Sequence, residues 1–306
     1  MQDKNLKTIW ISAIISALLA LSCLIITQQG FLQSLRGNKI FQSDEQKINK
    51  IQILSLDSSI TLQLDENLWR VMEADNYYAD PRKIQKLQKA ILEARQGQIA
   101  SIEPSNWATV KIYGEHDHPL GEVNLAQDNK SDISYVRFPH QKEVYQTNWR
   151  IPLDESPYFW TLQPLLTLQG TEINKFEKNQ TVISRNAEGA VFYNPDTNLP
   201  YRRFEYMRIF DILSDLRYEK VLSSQEFDTS RYAYHQAMAL TTFDGLFAIL
   251  DIYTDYKEYW IQLELRTTRL PRKQMVEEVK NKQFLYQDWW FKLKTEDGQR
   301  LWMFNL

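Results

Sequence analysis

The chain contains an internal duplication, and this feature constrains its architecture more than any other. The segment IQILSL at 51–56 aligns with INKFEK at 173–178, which lies 122 positions later. At the same offset, the apolar positions of a helix-like segment at 80–95 fall on apolar positions of 202–217. Two copies are too few for a solenoid, so the duplication predicts tandem domains.

The composition is that of a folded protein. The chain has 306 residues, enough for about two domains, and 43% of them are hydrophobic. Its 36 basic and 39 acidic residues are interspersed, and the formal charge of −3 argues against a nucleic-acid partner. The single cysteine, Cys23, lies in an N-terminal apolar run, so the rest of the chain has neither a disulfide nor a thiol nucleophile.

The uncharged run at residues 9–26 predicts a membrane anchor. As a helix it spans about 27 Å, close to the hydrocarbon thickness of a bilayer. Lys4 and Lys7 precede it, and positive charge before a span favours a cytoplasmic N-terminus. We therefore expect residues 1–27 to anchor the chain, residues 28–48 to form a stalk, and the bulk of the chain to lie outside the cytoplasm.

Two alternatives for this run stay open. A cleaved signal peptide is less favoured, because signal-peptide cores are usually about 7–15 residues long. A lipoprotein signal is suggested by the segment LALSC at 19–23, although the apolar residues continue beyond Cys23. All three possibilities place the folded part of the chain at the outer face of a membrane.

The two copies predict an α+β fold in which antiparallel sheets carry packed helices. Residues 49–155 form the first module, 156–172 a linker with a short helix, and 173–306 the second module. In the first module, Asp80-Pro81 predicts the start of a helix. The strands predicted for this module are 51–56, 60–64, 68–71, 108–113, 120–125, 133–138 and 143–146.

The second module predicts the same kinds of element with one insertion. Its first helix covers 202–217, and a further helix at about 271–282 has no counterpart in the first copy. Glu296-Asp297-Gly298 predicts a turn between the last two strands. The strands predicted here are 173–178, 181–185, 190–193, 237–242, 246–253, 258–265, 285–293 and 301–304.

The order of these elements resembles the DUF4340 domain. The resemblance is carried by the strand Leu68-Trp69-Arg70-Val71, by the helix that opens at Asp80-Pro81, and by the strand segments 110–113 and 135–138. The linker segment 160–166 also enters the second sheet as it does in that family. The similarity spans roughly residues 49–304. One departure is AVFY at 190–193, which replaces a strand that contains Trp in the family.

DUF4340 proteins are uncharacterised, membrane-anchored bacterial proteins, often associated with gliding-motility-type ABC transporter systems. The resemblance therefore implies a single-pass protein of the bacterial inner membrane, with the bulk of the chain in the periplasm. It implies membrane-protein partners such as an ABC permease. The family has no established catalytic motif, so the resemblance supplies no site residue.

Residues Glu115-His116-Asp117-His118 form the most ligand-like run for a metal ion. The alternative is a solvated hairpin turn between strands 108–113 and 120–125. We favour the turn because no second His or Cys cluster completes a set of four ligands. No nucleophile elbow, P-loop or dinucleotide-binding glycine motif occurs in the sequence. The sequence therefore predicts no catalytic residue, no metal site and no cofactor.

Neighbouring aromatic residues are the candidates for contact with a partner or a ligand. The leading hypothesis is a non-catalytic accessory or interaction subunit. The second is a module that binds a glycan, lipid or peptide in the cleft between the two copies, and the third is an enzyme of unrecognised type. Packing in the core is the alternative role for the aromatic residues singled out, which are Tyr158, Trp160, Tyr259 and Trp260.

Overall fold

The computed structural model describes residues 39–41, 48–101, 104–128, 133–147, 150–188, 190–201 and 203–304. The predicted anchor at 9–26, Cys23 and most of the stalk lie outside these residues. In the part of the chain that is described, no helix is long and apolar enough to cross a membrane. The described chain has an α+β fold, with two antiparallel sheets of nine and seven strands and a few helices.

The secondary structure follows the chain as sixteen strands and five α-helices within the described residues. The strands are β1 Lys50–Leu54, β2 Ser59–Asp65, β3 Leu68–Val71, β4 Tyr77–Tyr78, β5 Gln96–Ile99, β6 Trp107–Tyr113, β7 Pro119–Asp128, β8 Ile133–Arg137, β9 Tyr145–Thr147, β10 Ile173–Lys178, β11 Thr181–Ser184, β12 Tyr218–Ser223, β13 Tyr234–Thr242, β14 Leu246–Thr254, β15 Tyr259–Thr267 and β16 Trp289–Leu293. The helices are α1 Pro81–Glu93, α2 Pro157–Trp160, α3 Arg203–Ser214, α4 Lys273–Gln283 and α5 Thr295–Met303.

The chain divides into two compact units, and the division differs from the modules expected from the sequence. Among the described residues, the first unit comprises those within 39–61 and 82–155, and the second comprises those within 62–81 and 156–304. The segment 62–81, expected in the first module, thus belongs to the second unit. The physical reason lies at Tyr77, whose fully buried ring packs among other aromatic rings of that unit.

The first unit is built on an antiparallel sheet in which β1, β6, β7, β8, β9 and β5 are neighbours in that order. Ile51 pairs with Ile112 and Ile53 with Val110, so one face of the β1–β6 pair carries only apolar side chains. Helix α1 begins at Pro81, as predicted, and its periodic apolar face is buried. The buried apolar side chains of this face are Ile84, Leu87, Ala90 and Ile91.

The second unit contains the seven-stranded sheet, in the order β11-β10-β13-β14-β15-β16-β12. Strand β14 alternates strictly between buried and half-buried residues, which gives the sheet one core face. Helices α4 and α5 pack against β15. Residues 62–65 of β2 and the whole of β3 and β4 also belong to this unit, where Leu62 pairs with Val71 and Val71 with Tyr77.

Most predicted elements are confirmed, including the β13–β15 meander and helix α4, but the strands predicted at 190–193 and 301–304 and the turn predicted at 296–298 are wrong. Residues 190–193 form no strand, and Tyr193 makes only isolated bridges to Ser184 and Pro200. The segment 301–304, predicted as a strand, lies mainly in helix α5. Strand β12, at 218–223, was not predicted, because its pairing with β16 depends on residues distant in the chain.

Helix α5 replaces the predicted turn at Glu296-Asp297-Gly298. Two acidic residues in its first turn, Glu296 and Asp297, favour a helix N-terminus. Gly298 is buried against Tyr259, and a Cβ at this position would clash with the Cβ and ring of that tyrosine. The glycine therefore marks a close approach of the helix to β15, rather than a turn.

We predict that Gly298→Ala destabilises the second unit by about 1–3 kcal/mol, because the added methyl group overpacks the contact with Tyr259. In an uncrowded helix the same change would stabilise the protein by up to about 1 kcal/mol. Urea unfolding followed by tryptophan fluorescence measures the difference. The exposed neighbour Gln299 supplies the control, Gln299→Ala, which should stay within about 0.5 kcal/mol of the wild type. A Gly298→Ala protein that is more stable than the wild type would contradict the close approach.

Candidate functional site

The run Glu115-His116-Asp117-His118 forms the turn between β6 and β7, as favoured from the sequence. All four residues are exposed, and the Gly114 N–H donates to the His118 carbonyl at 2.8 Å. Asp117 pairs with Lys50, with 2.9 Å between its Oδ1 and the Lys50 Nζ. Across the residues that the structure describes, no group of three or more His, Cys, Asp or Glu side chains is arranged to hold a metal ion.

The four aromatic residues singled out from the sequence lie in the second unit, and three of them are buried. Trp160 is 0% exposed, Tyr259 2% and Trp260 3%. Trp260 packs on Phe227 at a ring-centroid distance of 5.1 Å, within a cluster that also includes Trp290. Side chains buried to this degree offer no surface to a partner, so of the four only Tyr158 keeps a face toward solvent.

A different group of aromatic side chains is exposed, around the hairpin turn between β14 and β15. Tyr256 is 54% exposed and Tyr234 is 45% exposed. Their ring centroids are 4.5 Å apart, and the Trp302 ring lies 6.2 Å from Tyr256 and 6.5 Å from Tyr234. We call Tyr234, Tyr256 and Trp302 the aromatic patch.

Side-chain hydrogen bonds fix the turn that carries Tyr256. The Asp255 Oδ1 accepts the N–H groups of Lys257 and Glu258, each at 2.9 Å, as in an Asx turn. The Thr254 Oγ1 accepts the Tyr256 N–H at 2.8 Å and donates to the Glu258 carbonyl at 2.7 Å. The hydrogen bonds that Asp255 accepts from the N–H groups of Glu258 and Lys257 also hold its pKa below the ordinary value.

Tyr256 itself adopts the left-handed region, with φ at 68°. This conformation is unusual for a bulky side chain and is normally occupied by Gly, Asn or Asp. Strained backbone of this kind persists only where the surroundings enforce it, and it concentrates at functional positions. The turn therefore presents an exposed tyrosine in a geometry that a glycine would adopt more easily.

The far end of the turn is held by Glu258. Its carboxylate accepts hydrogen bonds from the Trp260 Nε1 at 3.2 Å and the Tyr232 hydroxyl at 3.3 Å, and it forms an ion pair with Lys292. The hydrogen bond from Lys292 is the main cause that lowers the pKa of Glu258. The carboxylate stays charged at neutral pH, so the turn is anchored to the sheet.

Trp302 is positioned through its backbone, near the end of α5. The buried Lys178 ammonium donates to the carbonyls of Leu301, Trp302 and Phe304, at 3.0 Å for Leu301 and 2.7 Å for Trp302. The Gln236 Nε2 donates to the same Trp302 carbonyl at 2.9 Å. Carbonyls at a helix C-terminus lack hydrogen-bond donors within the helix. Lys178, at the end of β10, provides the missing donor. Hydrogen bonds within the second unit thus hold the aromatic patch from both sides.

We predict that Tyr256→Gly is more stable than Tyr256→Ala, with a melting temperature higher by about 2–4 °C. Both changes remove the ring, but only glycine relieves the positive φ. At ordinary strand or helix positions the order is reversed, because glycine loses more backbone entropy on folding. Differential scanning fluorimetry of the two variants measures the difference. An alanine variant as stable as the glycine variant would mean that φ is not positive at this position.

The sequence did carry a weak signal for the patch. The segment TDYKE at 254–258 lies between two alternating strands, and Asp after Thr is typical of a side-chain-stabilised turn. An aromatic residue inside such a turn is exposed whatever the register of the strands. Tyr234 and Trp302 carry no comparable signal, because their proximity to Tyr256 arises only in the folded unit.

Comparison with known protein families, with curated proteins and with solved structures yields no match to this chain.

Proposed function

We propose that this chain is a non-catalytic, membrane-anchored accessory subunit that binds a partner protein through the aromatic patch. In this proposal, two tandem α+β modules follow one N-terminal transmembrane helix, and the bulk of the chain lies in the periplasm at the bacterial inner membrane. The apolar run at 9–26 and the resemblance to DUF4340 support the anchor and the location. The resemblance also supports a membrane-protein partner, such as the permease of an ABC-transporter-type complex.

The observation that carries the proposal is the presentation of Tyr256. Its ring is 54% exposed, yet its backbone is held at a φ of 68° by a network of side-chain hydrogen bonds. Tyrosine and tryptophan are enriched among the residues that dominate protein–protein binding, and a rigid presentation lowers the entropy lost on binding. A partner that buries these rings would therefore gain contact area at a small ordering cost.

The test is co-purification of partners with the full-length chain from membranes in mild detergent. Mass spectrometry would identify the partners and quantify a permease with its ATPase. We expect the double variant Tyr234→Ala with Tyr256→Gly to recover about tenfold less of both than the wild type. The control is Leu199→Ala, which removes an apolar side chain that is 65% exposed outside the patch, and it should leave the recovery unchanged.

Two results would count against the proposal. Recovery of the wild-type chain alone would argue against a stable complex. Equal recovery with the wild type and the double variant would show that the partner binds elsewhere on the chain. Because Tyr256→Gly is expected to preserve the fold, a loss of binding could be separated from a loss of stability by the melting temperature of the same preparation.

A further inference from the structure

The second unit contains a pocket of about 340 Å³ beside helix α3. Arg185, Asp211 and Ser214 contribute polar side chains, and Met207, Phe210 and Val191 contribute apolar surface. Its volume is near the lower end of the range for small-molecule sites, which is roughly 300–1,000 Å³. The pocket lies wholly within this unit and is therefore distinct from the cleft between modules expected from the sequence.

Arg185 is the buried charged group of the pocket, at only 6% exposed, whereas the carboxylate of Asp211, which also lines the pocket, belongs to an exposed residue. Its Nε donates to the Ile173 carbonyl at 2.7 Å, one terminal nitrogen donates to the Ala190 carbonyl at 3.4 Å, and the other donates to the Gly170 carbonyl. A guanidinium group has five N–H donors, so these three bonds leave about two, one on each terminal nitrogen. Two such donors are what a bidentate carboxylate pairing requires.

Beyond these carbonyls, Arg185 is surrounded by aromatic rings, and the charge of Glu188 acts on it from beyond ion-pair distance. Its guanidinium carbon lies 4.6 Å from the ring centroid of Phe192 and 5.8 Å from those of Phe210 and Phe243. Among the described residues, no carboxylate forms an ion pair with it. Burial lowers the pKa of Arg185, which means that the site disfavours the isolated charge. A buried charge is normally paired, so an anion would complete this site.

We propose that the pocket binds a small carboxylate with a short apolar tail. The carboxylate accepts the two remaining N–H groups of Arg185, and the tail packs on Phe210 and Met207. Met207 is 39% exposed and Val191 51% exposed, so apolar surface continues from the pocket to its mouth. A fully polar anion would leave this surface without a partner, whereas an amphipathic ligand covers it.

Isothermal titration of the full chain in lipid nanodiscs with octanoate tests the proposal. We expect saturable binding at one site, and binding at least about tenfold weaker for octan-1-ol, which has a similar tail but no charge. The variant Val191→Trp fills the mouth of the pocket without touching the bonds of Arg185, and it should weaken octanoate binding by at least about tenfold. The matched control Val276→Trp changes a 41% exposed valine on α4 and should leave binding unchanged.

The same titrations define what would overturn the proposal. Equal binding of octanoate by the wild type and by Val191→Trp would report partition into the bilayer rather than a pocket. If octan-1-ol bound as tightly as octanoate, Arg185 would not contribute to the affinity through the ligand's charge. Inorganic phosphate binding as tightly as octanoate would remove the role of the apolar walls. Because Val191 is exposed, its variant is expected to fold, and circular dichroism of each preparation verifies this.

Discussion

Replacing Tyr77 by alanine is expected to destabilise the second unit by about 3–5 kcal/mol, the largest effect that we predict. The Tyr77 side chain is 0% exposed, and its ring centroid lies 5.0 Å from that of Trp289 and 5.5 Å from that of Phe291. Its hydroxyl donates to the Leu285 carbonyl at 3.2 Å. The substitution therefore leaves a large cavity and a carbonyl without its partner.

Hydrogen exchange with mass spectrometry measures this effect locally. Peptides that cover β12 and β16 should lose protection in Tyr77→Ala, because their rings surround the cavity. Tyr77→Phe keeps the ring and removes only the hydroxyl, so it should cost about 1 kcal/mol. Unchanged protection of β16 in the alanine variant would contradict the assignment of residues 62–81 to the second unit.

Replacing Lys178 by methionine is expected to destabilise the second unit by about 2–4 kcal/mol. Methionine fills a similar volume but leaves three carbonyls at the end of α5 without their donor. We also expect weaker partner recovery, because one of these carbonyls belongs to Trp302 in the aromatic patch. Denaturant unfolding and co-purification measure the two effects. Lys175→Met, on the same strand but half-exposed, is the control and should cost less than about 1 kcal/mol. A Lys178→Met protein as stable as this control would contradict the capping role.

The stability cost of Lys178→Met should also depend on pH. Burial lowers the pKa of Lys178 to about 8, below its ordinary value in an unfolded chain. Above pH 8 the unfolded state therefore binds more protons at this lysine than the folded state does, and the folded state gains relative stability as pH rises. The difference in unfolding free energy between wild type and Lys178→Met should thus increase from pH 7 to pH 9.5. A difference that shrinks over this range would mean that the folded-state pKa is raised.

Local patterns in the sequence account for much of the fold. The start of α1 at Pro81 follows from the Asp-Pro pair, and the meander of β13, β14 and β15 follows from three apolar-rich segments, the first two separated by the turn Phe243-Asp244-Gly245. The elements that were missed depend on distant contacts. Residues 301–304 form a continuous apolar run like that of a buried strand, yet the close approach of Gly298 to Tyr259 favours a helix there. Likewise, nothing local to Tyr77 indicates that it fills a cavity beside Trp289.

The candidate site was harder to predict than the fold. Adjacent aromatic residues such as Tyr259 and Trp260 were candidates for contact with a partner. Within a strand, however, neighbouring side chains point to opposite faces, so one ring of such a pair faces the core. Trp260 is also buried, because Phe227 covers it from the other face of the sheet. The three rings of the aromatic patch, of which Tyr234 and Tyr256 are exposed and Trp302 is half-buried, come from a strand, a turn and a helix end. Only the pairing of β13 with β14 and the capping of α5 by Lys178 bring them together.

Photo-crosslinking in the native membrane tests most directly whether the aromatic patch contacts a partner. A photoreactive phenylalanine analogue is placed at position 256 of the full-length chain, and at position 199 as the control outside the patch. We predict one discrete crosslinked product from position 256 that contains a membrane permease, and no such product from position 199. The absence of a product from position 256, or the same product from both positions, would contradict a partner-binding role for the patch.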